Sequence, residues 1–541
     1  MKGPIVDLFH CTMKSKQIKF LVGLLIVTLL GFKYYKMWPL LATKHAFFPV
    51  SFARVNENQI NRGVLLYGEG KYSEAKAILE PAAKKGDPIA LFFMGEMLIN
   101  GTAGEKDEQL GRSYQERASL LIKKLADKGL PDSQFLYATM LYRGKGVPQD
   151  LDLARKYLKE AVDAGIIEAK ASYGCMLYEG KGVPQDLDLA RKYLKEAADA
   201  GIPAAKASYG CMLYEGKGVP QDFDLARKYL KEAVDAGVPV AKASYGAMLY
   251  EGKGGLQDFN LARKYLKEAA DAGIPVAKVN YGCMLRDGEG GPQDLPLARK
   301  YLKEAAESGI PEAKAVYGYM LYEGKGGPQD LGLAKKYLKE AADEGIPVAK
   351  VNYGCMLRDG EGGPQDLGLA RKYLKEAADA GIPEAKAAYG CMLWDEEGSS
   401  QDLGLARKYL KEAAESGIPM AKANYGCMLY LGEGGPEDFD LARRYLKEAG
   451  ESGILVAKAI YGYMLRDGKG GPQDLGLARK YLKEAADEGS ISAQNAYATM
   501  LFEGQGSKGD KDQAKIYWQK AAAQGDEEAK EELSLHYNIS K

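Results

Sequence analysis

One tyrosine position recurs every 36 residues through most of this chain. Tyr137, Tyr173, Tyr209, Tyr245, Tyr281, Tyr317, Tyr353, Tyr389, Tyr425, Tyr461 and Tyr497 share a register that no insertion breaks. Around them stand close copies of AKASYGCMLYEGKGVPQDLDLARKYLKEAADAG, residues 169–201. A fixed period of this size marks a solenoid, in which each unit buries its apolar face only against its neighbours. The 541 residues are therefore expected to form one elongated array, not a set of globular domains.

Each unit encodes two helices and a turn. Ala169, Tyr173, Met176 and Leu177 recur at spacings of three and four, the period of one helix face. Gly180 and Gly182 stop that helix, because glycine reaches left-handed backbone cheaply. Asp186 is placed to cap the second helix, with Asp188 in its first turn. Ala190, Tyr193, Leu194 and Ala197 make the buried stripe of that helix, while Arg191, Lys192, Lys195 and Glu196 fall on its solvated side. Gly201 closes it, and Pro203 suits the first turn of the next unit. Ile202, Ile274, Ile310 and Ile346 stand where a capping Asp, Asn or Ser is expected, as Asp87 and Asp526 supply near the ends. This places apolar packing between units ahead of a cap.

The pattern A-x-x-x-[LY]-G-x-x-[YL]-x-x-G-x-G-x-x-x-D-x-x-x-A-x-x-Y-x-x-x-A-A-x-x-G resembles the Sel1-like repeat, a relative of the tetratricopeptide repeat, over residues 129–525. The family usually has Leu before the first Gly and Tyr three residues after it. Here Tyr173 and Leu177 exchange those roles and Tyr178 is added, which repacks the core locally. The resemblance implies an all-α solenoid, a superhelix of about thirteen Sel1-like or tetratricopeptide-like helix pairs. The expected segments are a basic N-terminus at 1–17, a membrane helix at 18–38 and a connector at 39–57. Two divergent repeats at 58–128, eleven 36-residue repeats at 129–524 and a capping helix at 525–541 follow.

Residues 20–32 form an uncharged apolar run, FLVGLLIVTLLGF, with Lys14, Lys16 and Lys19 before it and Lys33, Tyr34, Tyr35, Lys36 and Trp38 after it. The run alone spans roughly 20 Å against about 30 Å of hydrocarbon. Lysine snorkelling and the aromatic cluster extend it across Ile18 to Trp38. No small-x-small cleavage site follows directly, so an uncleaved signal anchor is preferred to a cleaved signal peptide and to a buried helix. The charge balance places the N-terminus in the cytoplasm and the repeats outside it, giving a single-pass membrane protein.

Little in the chain supports catalysis. The three histidines, His10, His45 and His536, lie in the leader, connector and tail, and neither HExxH nor GxxxxGK[ST] occurs. The turns DGEGGPQD lack the ligand order of a calcium loop. The 74 basic and 74 acidic residues cancel, which excludes the clustered positive footprint of a nucleic-acid binder. Neither catalytic residues, cofactor nor metal are therefore expected. Cys175, Cys211, Cys283, Cys355, Cys391 and Cys427 share one repeat position. Packed helices stand roughly 10 Å apart, whereas a disulfide needs alpha carbons within about 7 Å, so these are expected as free thiols. They read as small buried apolar residues, with a ladder of reactive or metal-binding thiols as the alternative. The β-lactam binding credited to cysteine-stapled Sel1-like proteins does not carry over.

The copies differ mainly on the first helix. One face changes from Glu168, Ser172, Cys175, Glu179 to Val276, Asn280, Cys283, Asp287, then to Glu312, Val316, Tyr319, Glu323 and to Val456, Ile460, Tyr463, Asp467. The resemblance implies that first helices line a concave groove containing this stripe. Beside it runs a column of large residues: Tyr178, Tyr214, Tyr250, Arg286, Tyr322, Arg358, Trp394, Tyr430 and Arg466. Such residue types are enriched at interface hot spots. An acidic column, Glu179, Glu215, Glu251, Asp287, Glu323, Asp359 and Asp395, accompanies it and is broken by Leu431. Together with Tyr319 and Tyr463 these are the candidate partner contacts. The expected function is a membrane-tethered, non-enzymatic scaffold that binds a partner protein or peptide. The alternatives are packing between units without a ligand, a structural envelope spacer in contact with cell-wall material, and an enzyme.

Overall fold

The computed structural model describes residues 59–102, 104, 106–395 and 400–537. Among them are 27 α-helices and no strand. The chain divides at Ser308 and Gly309 into two compact units, each a run of helix pairs. The first begins with two divergent pairs, Gln59–Gly68 with Tyr72–Lys84 and Pro88–Asn100 with Glu108–Ala126, the last being 19 residues long. Regular pairs of 13-residue helices follow, such as Ile167–Glu179 with Leu187–Asp199. The second closes on a single helix, Glu527–Tyr537.

The expectation of a single-pass membrane protein is corrected: no described helix is long and apolar enough to cross a membrane. The segment 18–38 on which that expectation rested lies outside the described residues. The repeat helices are short because each starts and stops on local signals. Asp186 Oδ1 accepts from the backbone N–H of Leu189 at 2.9 Å. Gly180 takes φ 66° as the left-handed cap that ends the first helix. Ile202 gives the next helix no side-chain cap, while Pro203 opens it. Asp87 and Asp526 do cap near the ends, accepting from Ala90 and Ala529 at 2.8 and 2.7 Å.

Each pair is held by close approach. A Cβ on Gly174 would stand 2.8 Å from Leu194 Cγ, so the missing side chain lets the two helices meet. Ala190, Leu194 and Ala197 are fully buried, and Met176 and Leu177 nearly so. Successive units are tied on the second-helix side by tyrosine: the Tyr229 hydroxyl donates to Asp199 at 2.7 Å, 30 residues earlier. Lys206 reaches Glu232 at 2.6 Å within its unit. The first helices lie between second helices and neighbouring first helices, and Pro203–Glu215 has no exposed residue. At the C-terminal end the His536 ring stacks on Trp518 and its centroid lies 4.2 Å from that of Phe502.

Candidate functional site

The column on the first helices is a ladder in which the aromatic rungs find partners in the next unit. The Tyr178 hydroxyl donates to Glu215 at 2.8 Å and that of Tyr214 to Glu251 at 2.7 Å. Lys217 lies 5.3 Å over the Tyr178 ring and Lys253 4.9 Å over Tyr214, so each tyrosine also meets a loop cation. Where the next unit carries a loop glutamate, the acceptor shifts: Tyr250 bonds Glu289, Tyr322 donates to Glu361 at 2.7 Å, and Trp394 Nε1 donates to Glu433. Lys469 donates to the Tyr430 hydroxyl at 3.0 Å.

Arginine in the column turns inward onto its own unit. Arg286 forks Asp287 at 2.7 Å through Nε and Nη2, and Arg358 and Arg466 repeat this with Asp359 and Asp467. Tyr319 stacks on Tyr322, and the Tyr463 hydroxyl donates to the Ser492 carbonyl at 2.7 Å. Burial varies along the ladder. Tyr178, Arg286, Tyr319, Tyr430 and Tyr463 are buried, with Tyr178 only 1% exposed. Tyr214, Tyr250, Tyr322, Arg358, Trp394 and Arg466 are half-buried, as are Glu179, Glu215, Glu251, Asp287, Glu323 and Asp359, and Asp395 is exposed. Glu179 keeps a buried Oε1 without a hydrogen-bond partner, and burial pushes its carboxyl up to about 7. The loop residues Lys217, Lys253, Lys469, Glu289, Glu361 and Glu433 belong to the ladder too. A sequence signal marks two of them: in residues 286–289 and 358–361, Arg-Asp-Gly-Glu replaces Tyr-Glu-Gly-Lys, so the loop charge inverts with the column residue there, whereas 430–433 (Tyr-Leu-Gly-Glu) and 466–469 (Arg-Asp-Gly-Lys) do not follow it.

The thiols sit in the layer beneath. Cys175 Sγ lies 3.5 Å from Ser208 Oγ, Cys211 Sγ lies 3.3 Å from Ser244 Oγ, and Asn424 donates to Cys391 Sγ at 2.9 Å. None of the six repeat cysteines is in a disulfide. Burial pushes Cys175, Cys211 and Cys391 up to about 12 and Cys283 up to about 11, so the nucleophilic thiolate is disfavoured at neutral pH. Among the described residues no group of three His, Cys, Asp or Glu could hold a metal ion.

The Sel1 repeat pattern matches twelve stretches: 88–121, the nine consecutive 36-residue blocks from 131 to 454, 456–490 and 491–526. The chain belongs to the Sel1 repeat family. Sel1 and related repeat solenoids generally mediate protein–protein interaction without catalysis. Among solved structures, a protective antigen of uropathogenic Escherichia coli with the same repeat fold is 23% identical. That likeness covers 86% of this Sel1 chain and 97% of the antigen, with a TM-score of 0.57. A Sel1 repeat protein from Oxalobacter formigenes is 27% identical, covers 65% of this chain and 94% of its own, and has a TM-score of 0.37. No curated protein matches.

Proposed function

We propose that this Sel1 chain is a non-enzymatic scaffold that binds a partner protein or peptide along its first-helix layer. The observation that carries this reading is the twelvefold Sel1 match, since the repeat class works by protein–protein interaction. In this reading the column from Tyr178 to Arg466 and its acidic companions form the contact surface. Buried members such as Tyr178 fix the rungs. The half-buried Trp394 and Arg466 and the exposed Asp395 meet the partner. Carboxylates beside aromatic edges suit an extended segment with basic and apolar side chains. Binding is stoichiometric, and the raised thiols fit a role without covalent chemistry.

A photo-crosslinking residue at Asp395, compared with one at exposed Lys408 on the second helix of the same repeat, tests this without disturbing a buried rung. A partner crosslinked from position 395 and not from 408 is the expected result. Crosslinking equal at both positions, or absent from 395, would remove the first-helix layer as the contact face.

A further inference from the structure

At four turns among the described residues, Arg227, Arg263, Arg407 and Arg443 each reach from a second helix into the next unit and fork two main-chain carbonyls three residues apart. Arg227 donates to Lys253 O at 3.3 Å and Leu256 O at 3.2 Å, and Arg263 to Glu289 O at 2.9 Å and Pro292 O at 2.7 Å. Arg407 does the same to Glu433 O and Pro436 O, and Arg443 to Lys469 O and Pro472 O. Between each pair of carbonyls stands a glycine: Gly255, Gly291, Gly435 and Gly471. Gly255, Gly291 and Gly471 have φ of 150°, 156° and 145°, which side chains rarely adopt. A Cβ on Gly255 would also lie 2.6 Å from Arg227 Nη1, and one on Gly471 2.9 Å from Arg443 Nη1.

At three turns this position is a valine, Val147, Val183 or Val219, and for the last two the counterpart arginines are Arg155 and Arg191. A β-branched residue cannot follow that backbone path, and its methyls would occupy the place of the guanidinium. Arg155, the counterpart of Arg227, makes neither carbonyl bond and instead lies 3.5 Å from Asp152, three residues back on its own helix. Arg191 takes a different carbonyl, Gly218 O at 3.2 Å, one residue past the counterpart of Lys253, and turns its other nitrogen to Asp188 at 3.2 Å. Beside Val183 a cleft of about 750 Å³ opens, lined by Arg155, Tyr173, Leu177, Asp186 and Asp188 among others.

We propose that this cleft is a binding site for a turn of a partner polypeptide, with the Arg155 fork donating to two main-chain carbonyls three residues apart. The same side chain does this to its own chain at the four glycine turns, and valine leaves it without those acceptors. Asp186 and Asp188 set the charge preference: the ligand is a glycine-containing turn that is neutral or basic, of the same chemistry as the GKGG turn at residues 252–255. Its polar groups, Arg155, Asp186 and Asp188, come from second helices and a turn, while Tyr173 and Leu177 of a first helix supply apolar wall; none belongs to the column from Tyr178 to Arg466.

The test uses the full chain labelled with ¹⁵N-arginine and the probe peptide acetyl-Gly-Lys-Gly-Gly-Pro-Gln-amide, with the Arg155 Nε signal assigned by its loss in Arg155→Lys. Millimolar probe should shift that signal saturably. Val183→Gly should let the turn close on Arg155 and weaken binding at least tenfold, with unchanged circular dichroism, and Gly255→Val should make Arg227 respond as a second site. An Arg155 signal that does not move, or a shift that survives Val183→Gly, overturns the proposal. So does equal or tighter binding of the Lys→Glu peptide: equal binding would show that Asp186 and Asp188 set no charge preference, and tighter binding would show ion pairing with Arg155 in place of carbonyl recognition.

Discussion

Tyr178 shows how far a single side chain can be misplaced by sequence alone. Its aromatic type and its repeat position point to a partner surface, yet its hydroxyl is committed to Glu215 in the next unit and its ring is 1% exposed. The period reveals which residues stack, but not how closely successive first helices approach, so burial was not legible. The pairing itself left a trace in the inverted loop charge at Glu289 and Glu361. Tyr178→Phe should cost about 1–2 kcal/mol, since it removes a bond to a carboxylate and leaves Glu215 only Lys217 at 3.5 Å, and this is readable as a lowered denaturation midpoint. Glu179 makes a pH prediction. Its carboxyl rises from 4.5 to about 7 because burial disfavours the anion. Its contribution is therefore full below pH 4.5 and is lost as pH rises through 7, by about 2 kcal/mol once screening at the half-buried site is allowed for. Glu179→Gln should match the parent near pH 4.5 and exceed it in stability at pH 8; equal midpoints at both would show that the carboxyl is solvated.

At the scale of the helix, the sequence was far more informative. The caps at Asp186, the left-handed stop at Gly180 and the uncapped start at Ile202 follow from residues whose partners lie within four positions. What stayed hidden was why glycine sits in mid-helix at Gly174, because its reason is Leu194 on the other helix of the pair. Gly174→Ala should destabilise by roughly 1–3 kcal/mol through overpacking against Leu194. Gly332 is the contrast: it lies in the first turn of Leu331–Asp343, where an added methyl would have its nearest neighbour 3.7 Å away at Asp330 Oδ1. Gly332→Ala should therefore stabilise by about 0.5 kcal/mol, by reducing unfolded-chain entropy. Thermal unfolding of the two variants side by side separates a packing glycine from a dispensable one.

For the molecule as a whole, stability in such arrays is close to a sum of unit and junction terms. Deleting residues 203–238, one full period, leaves Tyr178 facing Glu251 in place of Glu215. The shortened chain should keep its helicity per residue and melt within a few degrees of the parent. Removing only Leu187–Asp199 takes away Leu194 and exposes Gly174, and should collapse cooperative melting of the surrounding repeats. The apolar run at 20–32 was the strongest apparent clue to location, yet no described helix supports a membrane span. Local pattern there had no neighbouring copy against which to be checked.

The rungs also constrain how such a gene can grow or shrink. Gain or loss of 36 codons by unequal recombination returns tyrosines such as Tyr178 and Tyr322 to the same kind of carboxylate only when the joined units carry compatible loops. Tyr178 finds Glu215 at a distance of 37 residues, whereas Tyr322 finds Glu361 at 39. Copy number is thus free to drift, while the order of the copies is held by the bonds between them.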